Sequence, residues 1–307
     1  MDDSPPYAGQ LYACVGGSHV ARGILKSLDL THVREAEGVV DVITANEIPG
    51  KLDIGPVFPG DPLLADNEIE YLGQPLFAVL ATSHDLARRA AKLGQADVEK
   101  LEPVLDLQQA IKQELYVRPP HRMQRGDVDP ALENSFYRFR GILRVGGQEH
   151  FYLEGQASIA IPEEDGGVTV HTSTQNPTEA QKLVAEVLDI PMNLVNVVTR
   201  RMGGGFGGKE TQGSPWSCIA AVFARRTGKP VVCRLSRHDD MVMTGKRHNF
   251  LNRYEVGTNE EGKIEGIRYQ LAGQCGYSPD LSDAIVDRAM FHCDNAYYIP
   301  NVLIDGL

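Results

Sequence analysis

A glycine-rich loop at residues 203–208 carries the residue types with the clearest chemical potential in this chain. In the run RMGGGFGGKET, residues 201–211, five glycines surround Phe206 and the acid Glu210 follows. Glycine lacks a Cβ and tolerates positive φ, so such a loop can bring backbone N–H groups close to an anionic ligand. The phenyl ring adds an apolar wall, and the carboxylate adds a hydrogen-bond acceptor. This combination predicts a ligand with an oxyanion end and a hydrogen-bonding ring.

Two nucleotide-binding patterns also match the glycines of this loop, but the residues that follow the loop do not fit either pattern. The loop satisfies the GxGxxG spacing of dinucleotide-binding folds and most of a Walker A sequence. Glu210 stands where a Walker A loop needs Ser or Thr to hold Mg²⁺, and a carboxylate there would repel a triphosphate. The dinucleotide pattern needs an acid about 20 residues further on. Residues 225–235 contain none, so nucleotide binding stays a lesser alternative.

Composition narrows the class of function. The 307 residues include 30 Lys and Arg against 41 Asp and Glu, a net charge of −11 that disfavours nucleic acid and anionic membranes as partners. No apolar run approaches the ~18 residues of a membrane span, and we identify no signal peptide. The five cysteines lack any CxxC pair, which predicts neither a zinc site, an iron–sulfur site nor a disulfide framework. We expect a cytoplasmic protein with reduced cysteines.

The first 122 residues are predicted to form a small α+β domain. Strand-like runs lie at residues 10–15, 39–44, 69–72 and 76–81. Ser83 is predicted to cap a helix that stops at Gly94, and a second helix is predicted over residues 106–116. Residues 117–122 contain Pro119-Pro120, which favours an extended linker. Nothing in this domain carries evident chemistry.

The second predicted domain, residues 123–307, contains βαβ units. Strands are expected at residues 168–172, 194–199 and 231–236, followed by a hairpin from residues 253–256 and 263–271. Asn176, with Pro177 and Glu179 after it, is a capping signature for the first helix. Ser214 begins the next helix, and Gly228 ends it. This order places the glycine loop at the carboxyl end of a strand, where α/β sheets bind ligands.

Gln175 lies at the other turn between a strand and a helix, 31 residues before Phe206. Successive strand ends are neighbours in a βαβ arrangement, so both residues are predicted to line one pocket. A neutral amide can donate a hydrogen bond there without adding charge. The alternative is that Gln175 only fastens the turn before the Asn176 cap. The residue types and their spacing do not decide between these two interpretations.

Other polar groups have structural explanations of equal or greater weight. Glu210 could pair on the surface with Lys209 or Arg201, and such pairs contribute little. If residues 147–154 form a strand, His150 and Glu154 share a face with Tyr152, and a hydrogen-bonded pair is favoured there over a metal site. Two further charged clusters are expected to be solvated loops, with a lesser prospect of contacting a cofactor phosphate: Arg237-His238-Asp239-Asp240 and Lys246-Arg247-His248.

Five motifs in order together resemble the xanthine dehydrogenase family. They are QEHFYLE (148–154), TSTQNP (172–177), RMGGGFGGKET (201–211), DDMVMTGKRHNF (239–250) and DRAMFHCDNAYYIPN (287–301). The match is to the molybdenum-binding portion of that family and covers nearly the whole chain. The resemblance implies an a/b hammerhead domain at residues 1–122 and the first half of the molybdopterin-binding region at residues 123–307.

The resemblance also implies roles for particular residues. Gln175 would contact the apical oxygen of molybdenum, and the backbone at Phe206 would lie against the oxygen ligands of the metal. Gly205 and Gly207 would bind the cofactor on either side of Phe206. Glu210 would hydrogen-bond and orient a purine, which favours hypoxanthine and xanthine over aldehydes.

The implied activity is hydroxylation of hypoxanthine and xanthine to urate at a molybdenum-molybdopterin cofactor. Electrons would leave through [2Fe-2S] clusters and FAD. Because the cysteines of this chain are too scattered to hold clusters, those groups are expected on a partner subunit, and the full enzyme is expected to be an oligomer.

One departure from the family pattern concerns the end of the sequence. The substrate-binding arginine, the second stacking phenylalanine and the general-base glutamate of the family lie downstream of the position that matches Leu307. We therefore expect a truncated chain without its general base, which alone neither retains molybdopterin nor hydroxylates xanthine. The alternatives are an aldehyde oxidase-like hydroxylase of the same family and a non-catalytic assembly module.

Overall fold

The computed structural model describes residues 4–307 and forms two compact units. The first unit contains residues up to Pro103 together with Glu149–Lys246, and the second contains Val104–Gln148 together with Arg247–Leu307. Strands and helices are both abundant, which confirms the predicted α+β class. No helix among the described residues is long and apolar enough to cross a bilayer.

The strands are β1 Leu11–Gly17, β2 Gly23–Asp29, β3 Val39–Ile43, β4 Glu68–Ile69, β5 Pro75–Ala81, β6 Gln95–Lys100, β7 His121–Arg125, β8 Tyr137–Val145, β9 Ala157–Pro162, β10 Val168–Thr172, β11 Val195–Val198, β12 Val231–Arg234, β13 Asn249–Thr258, β14 Ile264–Gln274 and β15 Asn301–Gly306. The α-helices are α1 Thr31–Arg34, α2 His84–Ala91, α3 Leu107–Lys112, α4 Val128–Glu133, α5 Pro177–Leu188, α6 Ser214–Thr227, α7 Arg237–Met243 and α8 Ser282–His292.

A seven-stranded mixed sheet in the order β11-β10-β9-β12-β1-β5-β3 organises the first unit. Every residue of β5 is buried, because this continuous apolar strand lies between β1 and β3. A smaller sheet in the order β4-β2-β6 completes the unit. Strands from residues 11–81 thus share one sheet with strands from residues 157–234, so the compact units and the predicted boundary after residue 122 divide the chain differently.

A βαβ unit forms the part of the large sheet that matters for function. Strands β10 and β11 are parallel neighbours, and α5 connects them. The side chain of Asn176 accepts a hydrogen bond from the Glu179 N–H, and Pro177 occupies the first turn, as the capping signature predicts. Helix α6 ends at Gly228, whose φ of +65° is the left-handed conformation that glycine adopts without strain. The glycine loop therefore follows the carboxyl end of β11.

A five-stranded sheet in the order β7-β15-β14-β13-β8 organises the second unit. The predicted hairpin is confirmed as β13 and β14, which pair antiparallel around a turn with Gly262 at φ +81°. Helix α8 packs over β14 and β15 through Val286 and Met290. The buried side chains of Ile267 and Ile304 belong to the same core.

Several local predictions need correction. The helix predicted over residues 106–116 ends at Lys112, because Glu114 adopts a φ of +56° and the Leu115 N–H turns back to the Ala110 carbonyl. The predicted linker stops at Pro120, since the extended backbone after it pairs with β15 as β7. Strands β2 and β6 were not predicted, because exposed polar residues dilute their apolar alternation.

We expect Ser83→Ala to lower the free energy of unfolding by about 1 kcal/mol, because the Ser83 side chain accepts the Leu86 N–H at the start of α2. Urea denaturation measures the change. Ser83→Asn is the matched control and should retain most of the stability, since Asn caps a helix as well as Ser. Equal losses in the two variants would contradict a capping role.

Candidate functional site

Two parallel strand ends bring the predicted site residues together. Residues 173–176 follow β10, and residues 199–213 follow β11. The hydroxyl of Thr199 donates to the carbonyl of Thr172, which links the two turns where they leave the sheet (3.1 Å). The Gln175 turn and the glycine loop therefore begin side by side.

Gln175 is hydrogen-bonded directly to the glycine loop. Its side-chain Oε1 accepts the backbone N–H of Gly207 at 2.9 Å and that of Lys209 at 3.2 Å. Its own N–H donates to the Lys209 carbonyl at 2.8 Å. Thr174, and not Gln175, fastens the turn before the helix cap by accepting the Asn176 N–H. Gln175 thus sets the position of the loop, and its side-chain NH₂ makes no hydrogen bond to any described residue.

Close packing explains why the loop needs glycine at position 205. A Cβ there would lie 2.5 Å from the Oε1 of Gln175, so any larger residue would displace the amide that holds the loop. Phe206 has a φ of +52°, an uncommon conformation for a residue with a side chain. The surrounding hydrogen bonds impose this strain, which is typical of functional loops.

The loop presents an aromatic ring and unused amide donors. The Phe206 side chain is 76% exposed. The N–H of Gly208 bonds to the carbonyl of Gly205, whereas the N–H groups of Gly205 and Phe206 bond to nothing within residues 4–307. Neighbouring amide donors beside an exposed ring suit a ligand that carries acceptor oxygens.

Glu210 follows these groups in the sequence, and it is exposed. In the described part of the chain no ion pair joins it to Lys209 or to Arg201, so the predicted surface pairing is not observed. Its carboxylate is consequently available to accept a hydrogen bond from a ligand bound at the loop.

Lys209 is a fully buried cation below the loop. Its Nζ donates to the Glu154 carbonyl at 2.8 Å, the Gly155 carbonyl at 3.2 Å and the Ser173 hydroxyl at 2.7 Å. The carboxylate of Glu154 lies 3.6 Å away, and the ring of Tyr152 lies 4.5 Å away. The sequence analysis considered Lys209 in the Walker A match and as a surface partner for Glu210, whereas the structure makes it the internal anchor of the loop.

Glu154 completes this anchor. Its carboxylate accepts the Gly203 N–H at 2.9 Å and the Ser173 hydroxyl at 2.7 Å. Burial raises the pKa of Glu154, but the Gly203 and Ser173 hydrogen bonds and the Lys209 ammonium outweigh it and hold the pKa below its ordinary value. The carboxylate is therefore ionised at neutral pH and opposes the buried ammonium charge.

Residues 147–154 do not form the strand considered above, because their backbone is bonded to the glycine loop and to Arg237. His150 stacks on Tyr152, with ring centroids 6.3 Å apart, instead of meeting Glu154. No cluster of metal-ligand type among the described residues includes His150 or Glu154.

The charged run 237–240 is a helix, and its prediction as a solvated loop is wrong. Asp240 is fully buried and accepts the Tyr152 hydroxyl at 2.6 Å and the Gln156 N–H at 2.9 Å. Burial and then the Asp240 carboxylate raise the pKa of Tyr152, which stays protonated. Arg237 lies over the rings of Phe151 and Tyr152.

The second charged cluster is partly solvated, as predicted. Lys246 and Arg247 are exposed, and Lys246 pairs with Glu149 at 3.0 Å. His248 is half-buried and bonded to the Ser282 hydroxyl at 2.7 Å, and burial lowers its pKa.

Two family profiles account for almost the whole chain. Residues 109–307 match the molybdopterin cofactor-binding domain, and residues 1–102 match the a/b hammerhead domain of aldehyde oxidase and xanthine dehydrogenase. The chain belongs to the aldehyde oxidase and xanthine dehydrogenase family of molybdenum hydroxylases. This result confirms the resemblance and the order of the two domains, while the boundary at residues 122 and 123 stays a prediction.

Curated relatives of this molybdenum hydroxylase chain differ in their named substrates. It is 39% identical over 99% of its length to the xanthine dehydrogenase/oxidase of Gallus gallus and 38% identical over its full length to the xanthine dehydrogenase of Blastobotrys adeninivorans. It is 36% identical over its full length to the nicotinate hydroxylase of Emericella nidulans. The chain spans only 22–23% of the length of these relatives.

Solved structures show that the molybdenum hydroxylase fold extends across the chain. The aldehyde oxidoreductase of Desulfovibrio gigas superposes with a TM-score of 0.89 over 98% of this chain and 35% of its own, at 24% identity. The CO dehydrogenase of Oligotropha carboxidovorans gives a TM-score of 0.81 over the full chain and 42% of its own, at 21% identity.

We expect Lys209→Met to destabilise the first unit by about 3–5 kcal/mol, because the change removes a fully buried ammonium from its ion pair with Glu154 and from three hydrogen-bond acceptors. Chemical denaturation measures the loss. Lys182→Met removes an exposed lysine from the surface of α5 and should change stability by less than about 0.5 kcal/mol. If the two variants were equally stable, Lys209 would not be the anchor of the loop.

Proposed function

We propose that the enzyme containing this chain hydroxylates a purine, hypoxanthine or xanthine, at a molybdenum-molybdopterin cofactor. One observation carries the choice of substrate: Glu210, an exposed carboxylate without an ion pair among the described residues, follows the unbonded amides and exposed ring at Phe206. A purine offers the N–H groups that a carboxylate binds and a flat face that a phenyl ring contacts. A simple aldehyde offers neither.

Gln175, Gly205, Phe206 and Gly207 are the residues that would hold the molybdenum centre. When bound, that centre supplies the oxygen that is transferred and accepts the electrons that leave the substrate. The Gln175 NH₂ and the Gly205 and Phe206 amides would donate hydrogen bonds to its oxygen ligands, without coordinating the metal. Because Oε1 of Gln175 already holds two loop amides, these donors are preorganised before the cofactor binds.

Glu210 and Phe206 would orient the purine. The carboxylate accepts a ring N–H, and the phenyl ring excludes water from one face of the substrate. Positioning of this kind lowers the barrier because the reacting carbon is held in place before reaction. No residue of this chain is assigned as the general base.

The remaining redox groups are proposed to lie outside this chain. Three cysteines are buried and two are half-buried, and burial raises the pKa of each thiol, which opposes the thiolate form that binds iron. We place [2Fe-2S] clusters and FAD on a partner subunit or another part of the enzyme. We further propose a cytoplasmic, oligomeric enzyme of purine catabolism.

A second candidate is hydroxylation of another substrate, either a different heterocycle or an aldehyde. The 36% identity to a nicotinate hydroxylase supports the first, because nicotinate is also an electron-poor ring. A non-catalytic assembly role is the third possibility. Metal analysis and substrate screening of the complete enzyme separate these three.

In the complete enzyme, we expect Glu210→Gln to lower kcat/KM for hypoxanthine about 10- to 100-fold, since one hydrogen bond to a charged group contributes about 1.5–3 kcal/mol. Turnover of a small aldehyde should change less than about twofold, because an aldehyde has no ring N–H for Glu210 to bind. Steady-state kinetics on both substrates, with molybdenum content measured alongside, test this expectation.

Glu164→Gln, in the exposed turn between β9 and β10, is the control for loss of a surface carboxylate and should affect neither substrate. Equal losses on hypoxanthine and aldehyde in Glu210→Gln would refute a purine-orienting role.

A further inference from the structure

Strand β8 leaves an edge of the second unit open. Within residues 4–307 it pairs only with β13, so one side of its nine-residue backbone has no partner strand. Long exposed edges pair readily with other chains, and proteins usually protect them. This edge carries two chemically different faces.

One face of β8 is apolar and exposed. Tyr137, Phe139, Leu143 and Val145 alternate along the strand, and each is 44–57% exposed. The rings of Tyr137 and Phe139 stack with centroids 6.4 Å apart. Tyr254 on β13 lies opposite Gly141 and extends the same surface. A continuous exposed apolar row of this kind marks an interaction site.

The other face carries a row of arginines that is interrupted by the exposed Ile142. Arg138 and Arg140 both donate to one carboxylate, Glu255 on β13, and Arg268 on β14 donates to it as well. Arg144 continues the row and is exposed. Three guanidinium groups therefore share Glu255, although Arg268 also pairs with Asp129. An incoming carboxylate would meet excess positive charge here.

We infer that β8 is a docking edge for an extended segment that alternates apolar and acidic residues and joins the sheet as an additional strand. Strand addition of this type combines main-chain hydrogen bonds with pockets for alternate side chains. We assign the segment to polypeptide outside residues 1–307, because the chain covers only 22–23% of its curated relatives. The inference does not depend on the substrate.

A second copy of this chain fits the edge less well. If two β8 strands paired antiparallel about Gly141, Arg138 of each copy would lie opposite Arg144 of the other. Like charges directly opposite each other destabilise a strand pair. An acidic segment removes this repulsion and keeps the apolar contacts.

Hydrogen exchange measured by mass spectrometry tests the inference. The isolated chain is compared with the native assembly purified through a tag on this chain. In the isolated chain, the β8 amides not bonded to β13 should exchange fast. In the assembly they should slow by on the order of 100-fold, as expected for amides that enter a sheet. Arg144→Glu should remove at least about tenfold of this protection, and Arg144→Gln should remove less.

Arg253→Glu is the matched control, since this exposed arginine lies one strand further from the open edge. It should leave the protection unchanged, and equal thermal midpoints of the isolated variants would show that all of them fold. Equally fast exchange in both samples would overturn the inference. In the isolated chain, protection could instead rise with protein concentration, with a dimer seen in sedimentation. That result would assign the edge to a second copy of the chain and would also overturn the inference. If Arg144→Glu left the protection unchanged, the assignment of an acidic segment to this edge would be overturned.

Discussion

The attachment of the glycine loop to the ends of β10 and β11 is the constraint on which the rest of the site depends. Two groups provide this attachment. Oε1 of Gln175 accepts N–H groups of the loop, and the buried Lys209 ammonium donates to backbone carbonyls and to the Ser173 hydroxyl. A glycine-rich backbone is flexible by itself. Because both groups are fixed by neighbouring strand ends, the loop holds Phe206 in a strained conformation. The amides of Gly205 and Phe206 have no partner among the residues that the structure describes.

The buried charges behind the loop are balanced locally. Lys209 lies against Glu154 and the Tyr152 ring, while the Tyr152 hydroxyl continues to the carboxylate of Asp240. Buried charges need an opposite charge or hydrogen bonds. Lys209 and Glu154 pair with each other and are hydrogen-bonded, whereas the Asp240 carboxylate accepts hydrogen bonds from Tyr152, Gln156 and Thr244. The same network fixes the irregular segment around Tyr152, so the QEHFYLE motif supports the loop from inside the first unit.

Much of the fold could be predicted from the sequence because local signals were strong. The Asn176 cap, the Gly228 stop and the apolar run of β5 each specify their element without long-range information. The neighbourhood of Gln175 and the glycine loop followed from βαβ topology.

The internal role of Lys209 and the burial of Asp240 could not be predicted. A lysine beside a glutamate and a run of four charged residues resemble solvated surface, and only tertiary contacts 55 and 84 residues away show otherwise. Strands such as β2 were missed for a related reason, because a strand with one solvated face has a weak apolar pattern.

Residue-resolved amide exchange across the glycine loop is the most direct test of the central claim. The structure predicts slow exchange at Gly207 and Lys209 and fast exchange at Gly205 and Phe206, with the slow class lost in Gln175→Leu. Similar exchange at all four amides, unchanged by that substitution, would show that Gln175 does not hold the loop and would contradict the account.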